Sequence, residues 1–148
     1  MEQYESRLPE EERQICIDFC HGYMSYYKGD FARALDLLSK SNFSRNLLKT
    51  QVKILILQCY YELGYAEQAF SFIESFRKFL DRDDEIVAEY KESFLKYLMS
   101  VYELLRIKEI GGRRKGSPEA IALKRSLNNG MSNLFGIKLW LREKLNEV

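Results

Sequence analysis

The sequence predicts an all-α protein. Apolar residues recur at spacings of three and four through most of the chain, which is the period of a buried helical face. Two prolines and eight glycines in 148 residues leave little of the turn chemistry that a strand-rich fold needs. Two stretches also match each other at an offset of 35 residues: Gly29 with Gly64, Ala34 with Ala69, Leu38 with Ile73 and Tyr26 with Tyr61. The length suits one domain of roughly 100–200 residues. With 46% hydrophobic and 30% charged residues, the composition is that of a folded globular chain and argues against disorder.

The elements follow in order. A first helix is expected from about Glu10 to Lys28, apolar at Ile15, Cys16, Phe19, Cys20, Tyr23, Met24, Tyr26 and Tyr27. Gly29-Asp30 marks a turn, and Phe31, Ala34, Leu35 and Leu38 carry a second helix as far as the break at Ser41-Asn42-Phe43-Ser44. Leu47 to Leu63 reads as a third helix ended by Gly64, and Ala66 to Leu80 as a fourth, rich in phenylalanine. The helical pattern resumes after Asp81-Arg82-Asp83-Asp84 and runs over about 84–108, through Phe94, Leu98, Val101 and Leu105. A glycine-rich basic loop occupies 110–116. Ser117-Pro118 has the form of a cap followed by proline in the first turn, opening a helix over about 117–129 that stops at Asn128-Asn129-Gly130. Ser132 is placed to cap a last helix over 132–146, with Leu134, Ile137, Leu141 and Leu145 on one face. The repeating units are therefore expected at about 10–43 and 44–80, followed by a long helix and two helices that close the array.

The strings Tyr26-Tyr27-Lys28-Gly29-Asp30-Phe31-Ala32-Arg33-Ala34 and Tyr60-Tyr61-Glu62-Leu63-Gly64-Tyr65-Ala66-Glu67-Gln68-Ala69 carry the match. A glycine permits a tight turn after one helix, and an alanine five residues later lets the next helix approach closely. Gly22 falls seven before Gly29, where the family that these strings resemble prefers a small residue. Helix–turn–helix units with a period near 34 are the signature of tetratricopeptide repeats. Over roughly residues 10–80 the chain resembles that family, and with its aromatic-rich first hairpin and closing Lys138-Leu139-Trp140-Leu141 it is similar to the C-terminal part of longer bacterial members. One period beyond Gly64 and Ala69 stand Met99 and Leu104, so the pattern stops there. The resemblance implies a right-handed solenoid of antiparallel helix hairpins, about seven helices in all, with C-terminal capping helices.

It also implies a concave face that holds a peptide or a partner helix. The family's spacing puts Cys16, Phe19, Tyr23, Tyr26 and Tyr27 there from the first unit, and Gln51, Ile54, Gln58, Tyr61 and Glu62 from the second. One period further lie Ile86, Glu89, Ser93, Lys96 and Tyr97. An aromatic-plus-amide surface can bury apolar anchors and hydrogen-bond a peptide backbone. The alternative is that these rings pack inside the protein, as aromatics at helical spacing commonly do. The lysine and asparagine clamp with which some members hold a C-terminal carboxylate is absent from the sequence.

Catalysis and cofactors find no support. Asp18, His21 and Ser25 lie along one helix, without the oxyanion hole or strained turn that a triad needs, and read as a solvated polar stripe. Cys16 and Cys20, adjacent to His21, lack the paired spacing of a zinc site and read with Cys59 as small buried hydrophobes. No metal and no cofactor are expected. Three cysteines without a disulfide framework favour a reducing compartment, so the cytoplasm is the expected location. Met1-Glu2-Gln3-Tyr4-Glu5 lacks a secretory signature, and no run of apolar residues reaches membrane-spanning length.

Charge supplies the competing function class. The 23 basic and 22 acidic residues leave a net charge of +1, which gives no case for a dedicated nucleic-acid binder. Yet Arg113, Arg114, Lys115, Lys124 and Arg125 cluster near the C-terminus, while acids dominate the first twenty-two residues. A patch of this kind could hold RNA or an acidic protein with steep salt dependence, or simply be solvated. Opposite charge at the two ends would also permit head-to-tail self-association. The first helix has few polar positions and needs a cover: an earlier repeat, which is the preferred expectation, a second copy, or the acidic N-terminal residues. A protein-binding scaffold, or a structural portion of a longer repeat protein, is the expected role, and an enzyme is not.

Overall fold

The turn at Gly29 shows how sequence becomes structure here. In the computed structural model, which describes residues 10–111, 118–127 and 131–148, Gly29 adopts φ 82°. Its N–H donates to the carbonyl of Tyr26 at 3.0 Å, and the N–H of Asp30 reaches that of Ser25 at 2.9 Å. Gly64 does the same at φ 75°, its N–H bonding the Tyr61 carbonyl at 3.1 Å and that of Tyr65 the Tyr60 carbonyl at 2.9 Å. These paired bonds satisfy carbonyls that a helix end leaves open, and the left-handed residue they require is cheap only for glycine. At these two turns the 35-residue match in sequence is also a match in backbone geometry.

Among the described residues the chain is all-helical, with seven α-helices, one 3-10 turn and no strand. The helices are α1 (Glu10–Tyr27), α2 (Phe31–Ser39), α3 (Asn46–Leu63), α4 (Ala66–Arg82), α5 (Ala88–Gly111), α6 (Pro118–Ser126) and α7 (Ile137–Glu147). The chain forms two compact units, Met1–Ala69 and Phe70–Val148, divided inside α4.

In the first unit α2 packs against both α1 and α3. Asp30 caps α2, its Oδ1 accepting from the N–H of Arg33 at 3.2 Å. Ala34 is fully buried, and a methyl group on Gly22 would stand only 3.0 Å from Cγ of Leu38, so the α1–α2 approach is close. Ala69, the counterpart of Ala34, is also fully buried. In α3 Val52, the run Ile54–Leu57, Cys59 and Tyr61 are all buried, so this helix is enclosed on nearly every side.

In the second unit α5 packs on α6 and α7, which also touch each other. Phe94 stacks on Phe135 at 6.1 Å, Tyr97 meets Trp140 edge-on at 6.2 Å, and Phe70 meets Tyr102 at 5.1 Å. Leu98, Val101, Leu104, Ile137 and Leu141 complete this core.

Two expected boundaries move. The long helix starts at Ala88 and not near 84, because the buried carboxylate of Asp83 holds the N–H groups of Glu85 and Ile86 at 3.2 and 2.9 Å and turns the chain first. The last helix starts at Ile137 with Gly136 as its N-cap residue, and the side chain that reaches its first turn is Asn133, not Ser132. Oδ1 of Asn133 accepts from Lys138 and Leu139 at 3.0 and 3.1 Å, after a 3-10 turn with Phe135 at φ 58° and Gly136 at φ 71°. The expected caps at Ser117 and at Asn128 to Gly130, and the basic loop beyond Gly111, lie outside the described residues.

Candidate functional site

The aromatic residues singled out on α1 do come together. Phe19 lies edge-on to Phe43 at 5.5 Å and tilted to Tyr23 at 6.1 Å. Tyr23 meets Tyr27 at 4.7 Å, Tyr27 meets Tyr26 at 5.3 Å, and Tyr26 meets Phe31 at 5.4 Å. Tyr23 and Tyr27 are open to solvent, at 39% and 67% exposure. Tyr26 and Phe19 are half-buried.

The rest of the expected concave face is different. Gln58 and Tyr61 are buried, and Gln58 accepts a 2.8 Å hydrogen bond from the hydroxyl of Tyr26. Ser93, in the second unit, is buried as well, with its Oγ accepting from the N–H of Ser132 at 3.2 Å. These three residues serve packing and hold no open surface for a partner. Gln51 and Glu62 are half-buried. Lys96 is also half-buried and pairs with Glu92 at 3.5 Å.

The cysteines also need correction. Cys16 and Cys20 are exposed, because they fall on the side of α1 turned away from α2, and only Cys59 is buried. Burial, with a smaller contribution from the nearby Glu62 carboxylate, pushes the Cys59 thiol up to about 12. Ser25 is buried too, so the stripe it forms with Asp18 and His21 is only partly solvated. Among the described residues no group of three or more His, Cys, Asp or Glu side chains is placed to hold a metal ion. Among those residues, no helix is long and apolar enough to cross a membrane.

Of the basic cluster, Lys124 and Arg125 are exposed in the last turn of α6, where a cation is favoured by the helix dipole. Arg113, Arg114 and Lys115 lie outside the described residues.

The second unit holds a groove of which the sequence singled out only Lys96. Glu92, Leu95, Lys96, Met99, Ser100 and Glu103 of α5 form one wall, and Leu123 and Ser126 of α6 with Met131 form the other. It encloses about 530 Å³, within the size range of ligand clefts. The α5 residues advance by alternating steps of three and one, a single ridge of the helix, and that spacing was the available signal. Met99 is 52% exposed, an unusual state for a large apolar side chain in the middle of a long helix.

The polar groups around the groove are already engaged. Ser100 Oγ donates to the carbonyl of Lys96 at 2.8 Å, and Ser126 Oγ to that of Leu123 at 2.7 Å. Glu92 pairs with Lys96, and Glu103 with Arg106 at 3.2 Å. Leu95, Met99, Leu123 and Met131 thus provide most of what the groove can offer a ligand. No protein-family model, curated protein or solved structure matches the chain.

Proposed function

We propose that this protein is a non-catalytic protein-interaction module of the tetratricopeptide type, whose α5–α6 groove takes an apolar anchor from a short helical segment of a partner. The observation that carries the reading is the groove itself: an open apolar trough whose polar rim is bonded internally. A small polar metabolite would find few unsatisfied donors or acceptors there. An amphipathic helix needs only somewhere to put two or three apolar side chains, which is how helix-in-groove recognition works. Methionine suits that task, since its unbranched thioether reshapes to different anchors. The twin turns at Gly29 and Gly64 support the repeat reading, and with it a scaffold role.

The test is selection of displayed helical peptides on the native protein, followed by methyl NMR. Enriched peptides should carry apolar residues at i and i+3 or i+4 and shift the methyl signals of Met99 and Met131. Binding should be lost in Met99→Glu, whose exposed position lets the fold persist. It should change little between about 0.05 and 0.5 M salt, since a desolvated apolar anchor is not screened. Peptides that ignore Met99→Glu, or whose binding falls steeply with salt and depends on Lys124 and Arg125, would overturn the reading.

A further inference from the structure

We propose that α1 is a self-association surface, pairing antiparallel about a twofold axis with α1 of a second copy. Cys16, Ile17, Cys20, Tyr23, Met24 and Tyr27 are all exposed. At 100° per residue they occupy one arc of about 120°. The buried positions of α1, Gly22 and Ser25, lie on the other side. A continuous apolar stripe about three turns long is more than scattered surface hydrophobics, and marks an interaction site.

Charge identifies the occupant. Glu10 and Lys28 are both exposed, and neither has an ion-pair partner among the described residues. They lie eighteen residues apart, which is five full helical turns, so they share one edge of the stripe at its opposite ends. A twofold axis perpendicular to two antiparallel helices brings like edges together. Glu10 of each copy then meets Lys28 of the other, giving two equivalent ion pairs that flank the apolar stripe. A parallel pairing about an axis along the helices sends like edges to opposite sides, so Glu10 and Lys28 do not meet and neither ion pair forms. The face is therefore complementary to itself in one orientation only, as an isologous dimer contact must be. Arg13 falls inside the arc and comes level with Met24 and Tyr27 of the second copy, where the ring offers its guanidinium a face.

This register puts the axis at the level of residue 19. Cys20, near the middle of the arc, lies one residue from that level, so the two copies of Cys20 are about 3 Å apart along the helix direction. Facing helices 8–10 Å apart bring such positions within disulfide reach. The surface shares no residue with the α5–α6 groove, and Met99→Glu changes none of its side chains.

The experiment is sedimentation equilibrium on the full chain up to about 200 µM, where a dimer of micromolar affinity is well populated. The mass should rise towards twice that of the chain. Glu10→Lys and Lys28→Glu should each weaken association about tenfold by setting like charges together, and the double swap should restore it. Diamide, which is reduced to the hydrazine as it takes two electrons and two protons from a pair of thiols, should link the copies through Cys20. That cross-link should vanish in Cys20→Ser and survive in Cys16→Ser. A chain that stays monomeric at the highest concentration overturns the proposal. So does a double swap that fails to restore association, and so does one strengthened by Lys28→Glu alone, which would indicate a head-to-tail contact with a basic surface.

Discussion

The hydroxyl of Tyr26 donates a 2.8 Å hydrogen bond to Oε1 of Gln58, tying α1 to α3 across 32 residues of chain. Two side chains with the right chemistry to greet a peptide are instead joined to each other. Tyr26→Phe keeps the ring and its edge-on contact with Phe31 but withdraws the donor from a buried amide oxygen. The expected loss is about 1–2 kcal/mol, the usual cost of stranding one buried acceptor. Urea denaturation monitored by circular dichroism measures it, and an unchanged midpoint would show that the bond contributes nothing net.

Asp83 fastens the α4–α5 junction. Its fully buried carboxylate lies 3.2 Å from Nζ of Lys91, which also donates to the Asp83 carbonyl. Asp83→Ala strands the N–H groups of Glu85 and Ile86 together with a partly buried ammonium. A destabilisation of about 3 kcal/mol is expected, at the lower end for a broken buried pair because solvent still reaches the lysine. The same denaturation experiment reads it.

Ala34 and Ala69 occupy matching positions after the two turns, and neither has any exposed surface. Leucine at either site adds three carbons where no room exists. Each substitution should destabilise by about 1–3 kcal/mol, the range for overpacking. A melting temperature unmoved by both would break the 35-residue correspondence between them.

The thiols should separate cleanly. Cys16 and Cys20 are open to reagents, whereas Cys59 is buried and pushed up to about 12. Reaction with a chromogenic disulfide at pH 8 should release two equivalents quickly from the native chain and three from the denatured one. The pH dependence has a definite sign. The unfolded thiol ionises near its ordinary value of 9.0 while the folded one holds its proton, so Cys59's contribution is complete below pH 9.0 and is lost progressively as pH rises towards about 12. Cys59→Ala should flatten stability over that window relative to the parent chain.

The turns at Gly29 and Gly64 were readable because a helix cap is settled by a few adjacent residues. The start of α5 was not, since three aspartates fall within 81–84, and it is the buried one, Asp83, that holds the N–H groups of Glu85 and Ile86 in a turn before the helix begins. Ser132 and Asn133 both carry oxygens that can accept from first-turn N–H groups. The stacking of Phe135 on Phe94 fixes the chain so that the asparagine is the one in reach. For the candidate sites, periodicity identified a face but not whether anything lies over it. Tyr23 and Tyr27 are open while Gln58, Tyr61 and Ser93 are closed, and that difference depends on neighbours distant in sequence. The α5–α6 groove lies between two helices, so one helix's pattern could show only half of it.

The bonds that close the turns at Gly29 and Gly64 reach back no more than five residues, and each next helix begins at once. Closing so short a loop sacrifices little chain entropy and takes well under a microsecond, whereas contacts remote in sequence must wait for slower encounters. The bends can therefore form before the distant parts of the chain have met. A glycine replaced at either bend should then register in the refolding rate as well as in the final stability. In this protein the order of assembly is written into the punctuation between helices as much as into the helices themselves.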